Sequence, residues 1–377
     1  MRGDVFLYAA AFIMDLCGGL AFFSTPLLGL RLGASVIDLG LMGTLGGLAY
    51  ILACPMMGRL ADRHDRSRMI GLACLFTAAA YLLVVFIDRV ALLLVCVPLM
   101  WVGMALFWPA LQAALAEGRN RTQLVKALGT YNIVWSLGFM NGPLLGGPLY
   151  AVHPRLPFIV ASIGMVLLGG AILVWRPAVR RDSPPLEELP ADRELGPARP
   201  QYRVVAWIAS FTAFFTLGIV NNLFPKLAIT LAISPTALGR LLAVPRLAQI
   251  LTFLLVRHSH RWQYRLLPLA VPQACTAVGL VFIATADTPL ILGIALSALG
   301  VLVGTAFYAS QFYSLFQEER KGERGAFNEV MVGMGNVSGP FLGGVLAQAF
   351  GLRAPYVFCC GIVIAGLIVE YRLARSS

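Results

Sequence analysis

Two charged side chains stand where charge is costly. Asp15 lies mid-way along the apolar run AAFIMDLCGGLAFF, and Arg246 lies inside another, with Gln249 three residues later on the same helical face. A charge in hydrocarbon costs roughly 2.5 to 3.5 kcal/mol by insertion scales, so each needs a partner, a wet cavity or a function. For Asp15 that chemistry is the carriage of a proton or the holding of a cation, with a structural hydrogen bond to another helix as the plainer reading. Arg246 could bind an anionic group or pair with Asp15, with a fixed structural ion pair as the plainer reading. Lys226 and Arg240 lie nearer the ends of their runs, where long basic side chains snorkel to water.

The elements that must position these residues follow from composition. The chain of 377 residues is 59% hydrophobic and 12% charged, whereas a soluble domain carries about 25% charged residues. Lipid is the expected solvent. Twelve apolar runs of membrane-spanning length, the first over 5–29 and the last over 354–371, divide into six per half. The first run reads as a retained helix rather than a cleaved signal. The halves are expected at 1–175 and 204–377, joined by a cytoplasmic linker at 176–203 whose six prolines and mixed charge cannot pack as a core. Helix breaks are expected near Pro26, Pro225 and Pro245.

The net charge of +11 could suggest nucleic acid, but its distribution argues otherwise. With both termini cytoplasmic, 22 of the 29 basic residues fall on the cytoplasmic side, while the opposite loops hold Arg31, Arg89, Arg155 and Arg353. That is the positive-inside pattern of an even number of spans. No nucleic-acid partner is needed to explain the charge. All seven cysteines fall in apolar runs, where they act as small hydrophobes. Neither they nor the loop pair His258 and His260 imply a metal site.

The chain repeats itself. Gly138 to Gly147 (GFMNGPLLGG) and Gly335 to Gly344 (GNVSGPFLGG) share G-x-x-x-G-P-x-x-G-G at a spacing of 197. Pro26 to Ser35 (PLLGLRLGAS) and Pro225 to Ser234 (PKLAITLAIS) match at a spacing of 199. Because six spans separate equivalent points, the halves are parallel repeats. The small residues Gly138, Gly142, Gly146 and Gly147, with Gly335, Gly339, Gly343 and Gly344, allow helices to approach closely. Pro143 and Pro340 remove a backbone donor and favour a bend.

After the second run, Gly58 to Arg68 reads GRLADRHDRSR. It resembles the signature G-x-L-A-D-R-x-G-R-[RK] of the major facilitator superfamily, matching at Gly58, Leu60, Ala61, Asp62, Arg63 and Arg66. It departs at Asp65 and Ser67, and Arg68 can restore the last charge. The resemblance covers essentially the whole chain and implies an all-α integral membrane fold of twelve transmembrane helices in two parallel six-helix repeats. It implies a conformational latch at Gly58, Asp62, Arg63, Arg66 and Arg68; in the second half RHSHRWQYR keeps the base and loses the acid. The glycine–proline stretches are similar to the helix-five motif of family members that export substrate in exchange for protons, although packing alone could require the motif twice.

Family geometry implies that helices one, four, seven and ten surround a central cavity. Here they carry Trp101, Trp108 and Gln112, then Asn221 and Asn222, then Tyr308, Gln311 and Tyr313. Aromatics with a few amides suit an amphipathic or hydroxylated small molecule, though aromatics also populate membrane interfaces. No Walker loop, H-E-x-x-H, nucleophile elbow or dinucleotide fingerprint occurs. No enzyme and no cofactor is therefore expected. The resulting expectation is a secondary transporter of the bacterial cytoplasmic membrane, working as a monomer and coupled to protons through Asp15 as an exporter. An uptake symporter or facilitator for a sugar or organic anion, with Arg246 as the anion contact, is the alternative. A non-transporting receptor is the alternative of another class.

Overall fold

The computed structural model describes residues 2–63, 65–116, 121–175, 200–258, 262–315 and 321–375, so the linker expected at 176–203 lies outside it up to residue 199. Among the described residues the chain is twelve α-helices with no strand. The first six are α1 (Arg2–Arg31), α2 (Val36–Arg63), α3 (Arg66–Val85), α4 (Val90–Ala116), α5 (Arg121–Val152) and α6 (Leu156–Trp175). The second six are α7 (Pro200–Thr230), α8 (Pro235–Val256), α9 (Leu267–Thr285), α10 (Pro289–Leu315), α11 (Lys321–Phe350) and α12 (Ala354–Arg375).

Eleven of these helices are long and apolar enough to cross a membrane. The other, α5, is 32 residues long, and the Gly, Pro and Asn residues of its motif dilute its apolar character. Large apolar side chains such as Leu52, Leu72, Leu167, Leu255 and Val357 remain exposed, the arrangement lipid requires of an outer face. The helices run through Pro26, Pro225 and Pro245, where breaks were expected. At Pro245, Gly300 lets α10 lie directly against the Pro245 main chain.

The chain divides into two compact units. Unit 1 is Met1–Gly33 with Leu45–Pro190, and unit 2 is Ala34–Thr44 with Ala191–Ser377. In unit 1, α1 lies along α5 and α3 packs on α4 and α6. In unit 2, α7 lies along α11, α9 packs on α10 and α12, and α10 packs on α8. The pairing α1–α5 thus recurs as α7–α11.

The duplicated stretches build the same turn twice. Gly33 (φ 91°) and Ala232 (φ 55°) both adopt the left-handed conformation that closes a helix. Their N–H groups donate to Leu30 O at 3.1 Å and Ile229 O at 3.0 Å. The next helix then starts on a serine: Ser35 exchanges hydrogen bonds with Asp38, and the Ser234 hydroxyl accepts from Ala237 N at 3.3 Å.

Candidate functional site

Glycines set the position of Asp15. A side chain at Gly138 of α5 would strike the Phe12 carbonyl and come within 3.2 Å of the Asp15 Cβ; at Gly142 it would strike the Gly19 backbone, and at Gly146 the Phe23 ring at 2.9 Å. The three glycines of the motif therefore seat α5 against one face of α1, and Asp15 lies beside the contact, 3% exposed. Gly335, Gly339 and Gly343 do the same for α11 against Phe211, Phe215 and Ile219 of α7. The second copy has a further contact: Pro340 and Gly344 pack on Gly40 at the start of α2, beside a hydrogen bond from Thr44 Oγ1 to Val337 O at 2.9 Å.

Aromatic rings of α4 pack against α1, α2 and α5. Trp101 stacks on Phe22 of α1 at 4.6 Å and meets Tyr50 of α2 edge-on at 5.9 Å, and Gly46 makes room for its indole. Trp108 is 8% exposed and meets Tyr131 of α5 at 5.8 Å, while Gln112 donates to the Tyr131 hydroxyl at 3.1 Å. Phe22, Tyr50 and Tyr131 were not singled out from the sequence. Each is an aromatic residue in an apolar run, indistinguishable there from ordinary core.

In unit 2, Arg246 donates from Nη1 to Gln249 Oε1 at 2.9 Å, within one helix face as the three-residue spacing requires. Arg246 is 8% and Gln249 1% exposed, and Gln249 Nε2 is buried without a hydrogen-bond partner among the described residues. Gly304 of α10 lies against the Gln249 carbonyl and the Thr252 side chain, which keeps α10 close. Tyr308 on that helix is half-buried between Phe253 at 6.3 Å and Trp262 at 5.7 Å. Gln311 is also half-buried. On α7, Asn222 donates to Gly218 O at 2.9 Å and abuts Gly43, with Asn221 half-buried beside it. Asp15 belongs to unit 1 and Arg246 to unit 2.

Of the expected latch, the side chains of Gly58, Asp62 and Arg63 lie outside the described residues. Arg66 donates to Ala113 O at 3.2 Å, tying the start of α3 to the last turn of α4. Arg68 is exposed, and its N–H donates to Asp65 Oδ1 at 3.0 Å. The departure at Asp65 is thereby explained: it is the N-cap of α3. In the second half an aromatic cluster stands at the corresponding place, with Tyr264 against Tyr202 at 5.9 Å and against Tyr313 at 5.3 Å.

Twelve helices in two related sets, eleven of them apolar enough to cross a membrane, with small residues seating the helix pairs and polar groups buried inside each unit, make a multi-pass membrane protein. The chain matches the Major Facilitator Superfamily over residues 7–315 and again over 206–376. It belongs to that superfamily. It is 27% identical over 370 residues to Multidrug resistance protein 1 of Bacillus subtilis (strain 168), covering 94% of this chain and 92% of the relative. It is 20% identical to Quinolone resistance protein NorA of Staphylococcus aureus (strain MRSA252), covering 98% and 96%. Its fold is similar to a bacterial homologue of the human lysosomal transporter Spinster in an inward-facing, unoccupied conformation, with TM-score 0.81, 15% identity and coverage of 99% and 96%. It is also similar to the nucleoside transporter NupG, with TM-score 0.77, 10% identity and full coverage of both chains (100% each). The protein is thus a multi-pass membrane transporter that moves small substrates.

Proposed function

We propose that this transporter exports small amphipathic organic molecules in exchange for protons, with Asp15 as the carboxylate that carries the proton. The observation that carries the reading is the burial of Asp15, 3% exposed, beside the contact of α1 with the glycine–proline helix α5. A charge held there is costly and a neutral acid is not, so the residue can alternate between forms as its surroundings change. The aromatic rings of Trp101 and Trp108, with the Gln112 amide, supply stacking faces and a few polar contacts of the kind an amphipathic compound needs. The similarity to a multidrug resistance protein and a quinolone resistance protein agrees with export. In this reading the protein works as a monomer in the cytoplasmic membrane with both termini inside.

One observation favours a second reading, uptake of an organic anion. Gln249 Nε2 is a buried donor next to Arg246, and together they would suit a carboxylate.

The test is counterflow in proteoliposomes with imposed pH gradients, comparing the wild type with Asp15→Asn. Export coupled to protons requires that substrate efflux drive protons the opposite way and that Asp15→Asn abolish the coupling while substrate still binds. Co-movement of substrate and proton that is lost in Arg246→Gln would establish the second reading instead. Binding without any exchange would mark a sensor.

A further inference from the structure

Unit 2 contains a buried carboxyl group that neither reading uses. Glu370, on the last turns of α12, is fully buried at 0% exposure, as is Gln273 of α9. Gln273 Nε2 donates to Glu370 Oε2 at 2.6 Å. The other two oxygens, Glu370 Oε1 and Gln273 Oε1, are buried acceptors with no donor among the described residues.

No described cation faces this pair. Helix α9 has no charged residue, and α11 has none from Val330 onward, the side chains of its earlier charged residues lying outside the described ones. On α12 the neighbouring Arg375 sits over the Tyr371 ring at 4.5 Å, and Arg372 is exposed. On α7 the facing group is Thr212, whose methyl would lie 2.9 Å from a side chain at Gly366, one turn before Glu370. Arg203, nine residues before Thr212, lies half a turn round α7. Its guanidinium covers the Trp207 ring at 5.3 Å, and Trp207 bonds Ser314 of α10.

A carboxylate here would be an apolar-buried anion with one hydrogen bond and no counter-charge, which costs several kcal/mol or more. A proton removes the charge and supplies a donor for one orphaned oxygen. We propose that Glu370 is a second proton-binding site, separate from Asp15, where the neutral acid joins Gln273 and lets α12 pack on α9 and α7. It stands whether or not Asp15 couples transport.

The experiment is infrared difference spectroscopy of the purified full chain in lipid at neutral pH, wild type minus Glu370→Gln. The expected result is a protonated-carboxyl C=O band that is present in the wild type, lost in Glu370→Gln, retained in Asp15→Asn and unchanged by sodium chloride. Carboxylate bands alone in the difference would overturn the proposal. So would loss of the neutral band on adding sodium at constant pH, which would make the oxygen pair a cation site. If Glu370→Gln does not fold, Gln273→Leu serves: the proposal requires its neutral C=O band to shift upward as the hydrogen bond is lost, and an unshifted spectrum would sink it.

Discussion

Arg155 donates from Nη2 to the carbonyl of Ile87 at 3.1 Å, just past the end of α3. The second half repeats the contact: Arg353 donates from Nη1 to Ala284 O at 3.1 Å at the end of α9, and its other nitrogen pairs with Asp287. The last carbonyls of a helix have no partner of their own, and a guanidinium both fills that vacancy and opposes the negative end of the helix dipole. These two arginines were conspicuous in the sequence only as exceptions to the expected distribution of basic residues. Their place at helix ends gives them a structural role.

Arg353→Gln should therefore destabilise the protein by about 1–2 kcal/mol, the value of a charge-assisted bond reduced for exposure. Asp287→Asn should cost less, because that carboxylate is 68% exposed and its ion pair is screened. Thermal unfolding in detergent checks this. Equal losses from the two substitutions would show that the ion pair, and not the helix-end bond, holds the loop.

The paired turns at Gly33 and Ala232 give an opposed prediction. A residue with a side chain pays roughly 1–2 kcal/mol in the left-handed conformation. Gly33→Ala should lower the melting temperature although nothing lies within 4 Å of the added methyl. Ala232→Gly should raise it or leave it unchanged, the relief of strain opposing the greater freedom of the unfolded chain. If both substitutions destabilise equally, the strain at Ala232 is not real.

How much of this was legible beforehand depends on the residue. The duplication, the close-packing role of Gly138, Gly142, Gly335 and Gly339, and the membrane class could be read because spacing and composition carry them directly. The departure at Asp65 could be seen as a mismatch, but its meaning as an N-cap needs the start of α3 at Arg66. Glu370 carries no signal in the sequence, since a carboxylate one residue from the end of an apolar run ordinarily reaches water. Its burial is set by Gln273, 97 residues away. A linear pattern does not say which helix covers which face.

The glycines also differ in ways the motif alone conceals. Gly142→Val should abolish accumulation of folded protein, because the new side chain must displace the Gly19 backbone and not a movable side chain. Gly339→Val should do the same against Phe215. Gly129→Ala, more than three turns earlier on α5 with nothing within 4 Å, should be neutral or stabilise by up to about 1 kcal/mol through helix propensity. Size-exclusion profiles of fluorescent fusions separate these outcomes, and a well-folded Gly142→Val would refute the close α1–α5 seating.

The aromatic cluster in unit 2 can be tested at one hydrogen bond. Tyr264 has a positive φ of 53° and donates its N–H to the Tyr313 hydroxyl at 2.7 Å. That bond helps hold an unfavourable backbone in place while the ring packs on Tyr202 and Tyr313. Tyr313→Phe keeps the ring and removes the acceptor, so it should cost about 1–2 kcal/mol in thermal unfolding. Tyr264→Gly relieves the backbone strain but gives up the ring contacts. The double variant should be less destabilised than the sum of the singles, because once the Tyr264 ring is gone the Tyr313 hydroxyl has less to hold. Strict additivity would mean that the hydroxyl and the Tyr264 conformation are independent, and the cluster would then be ordinary packing rather than a brace for the loop after α8.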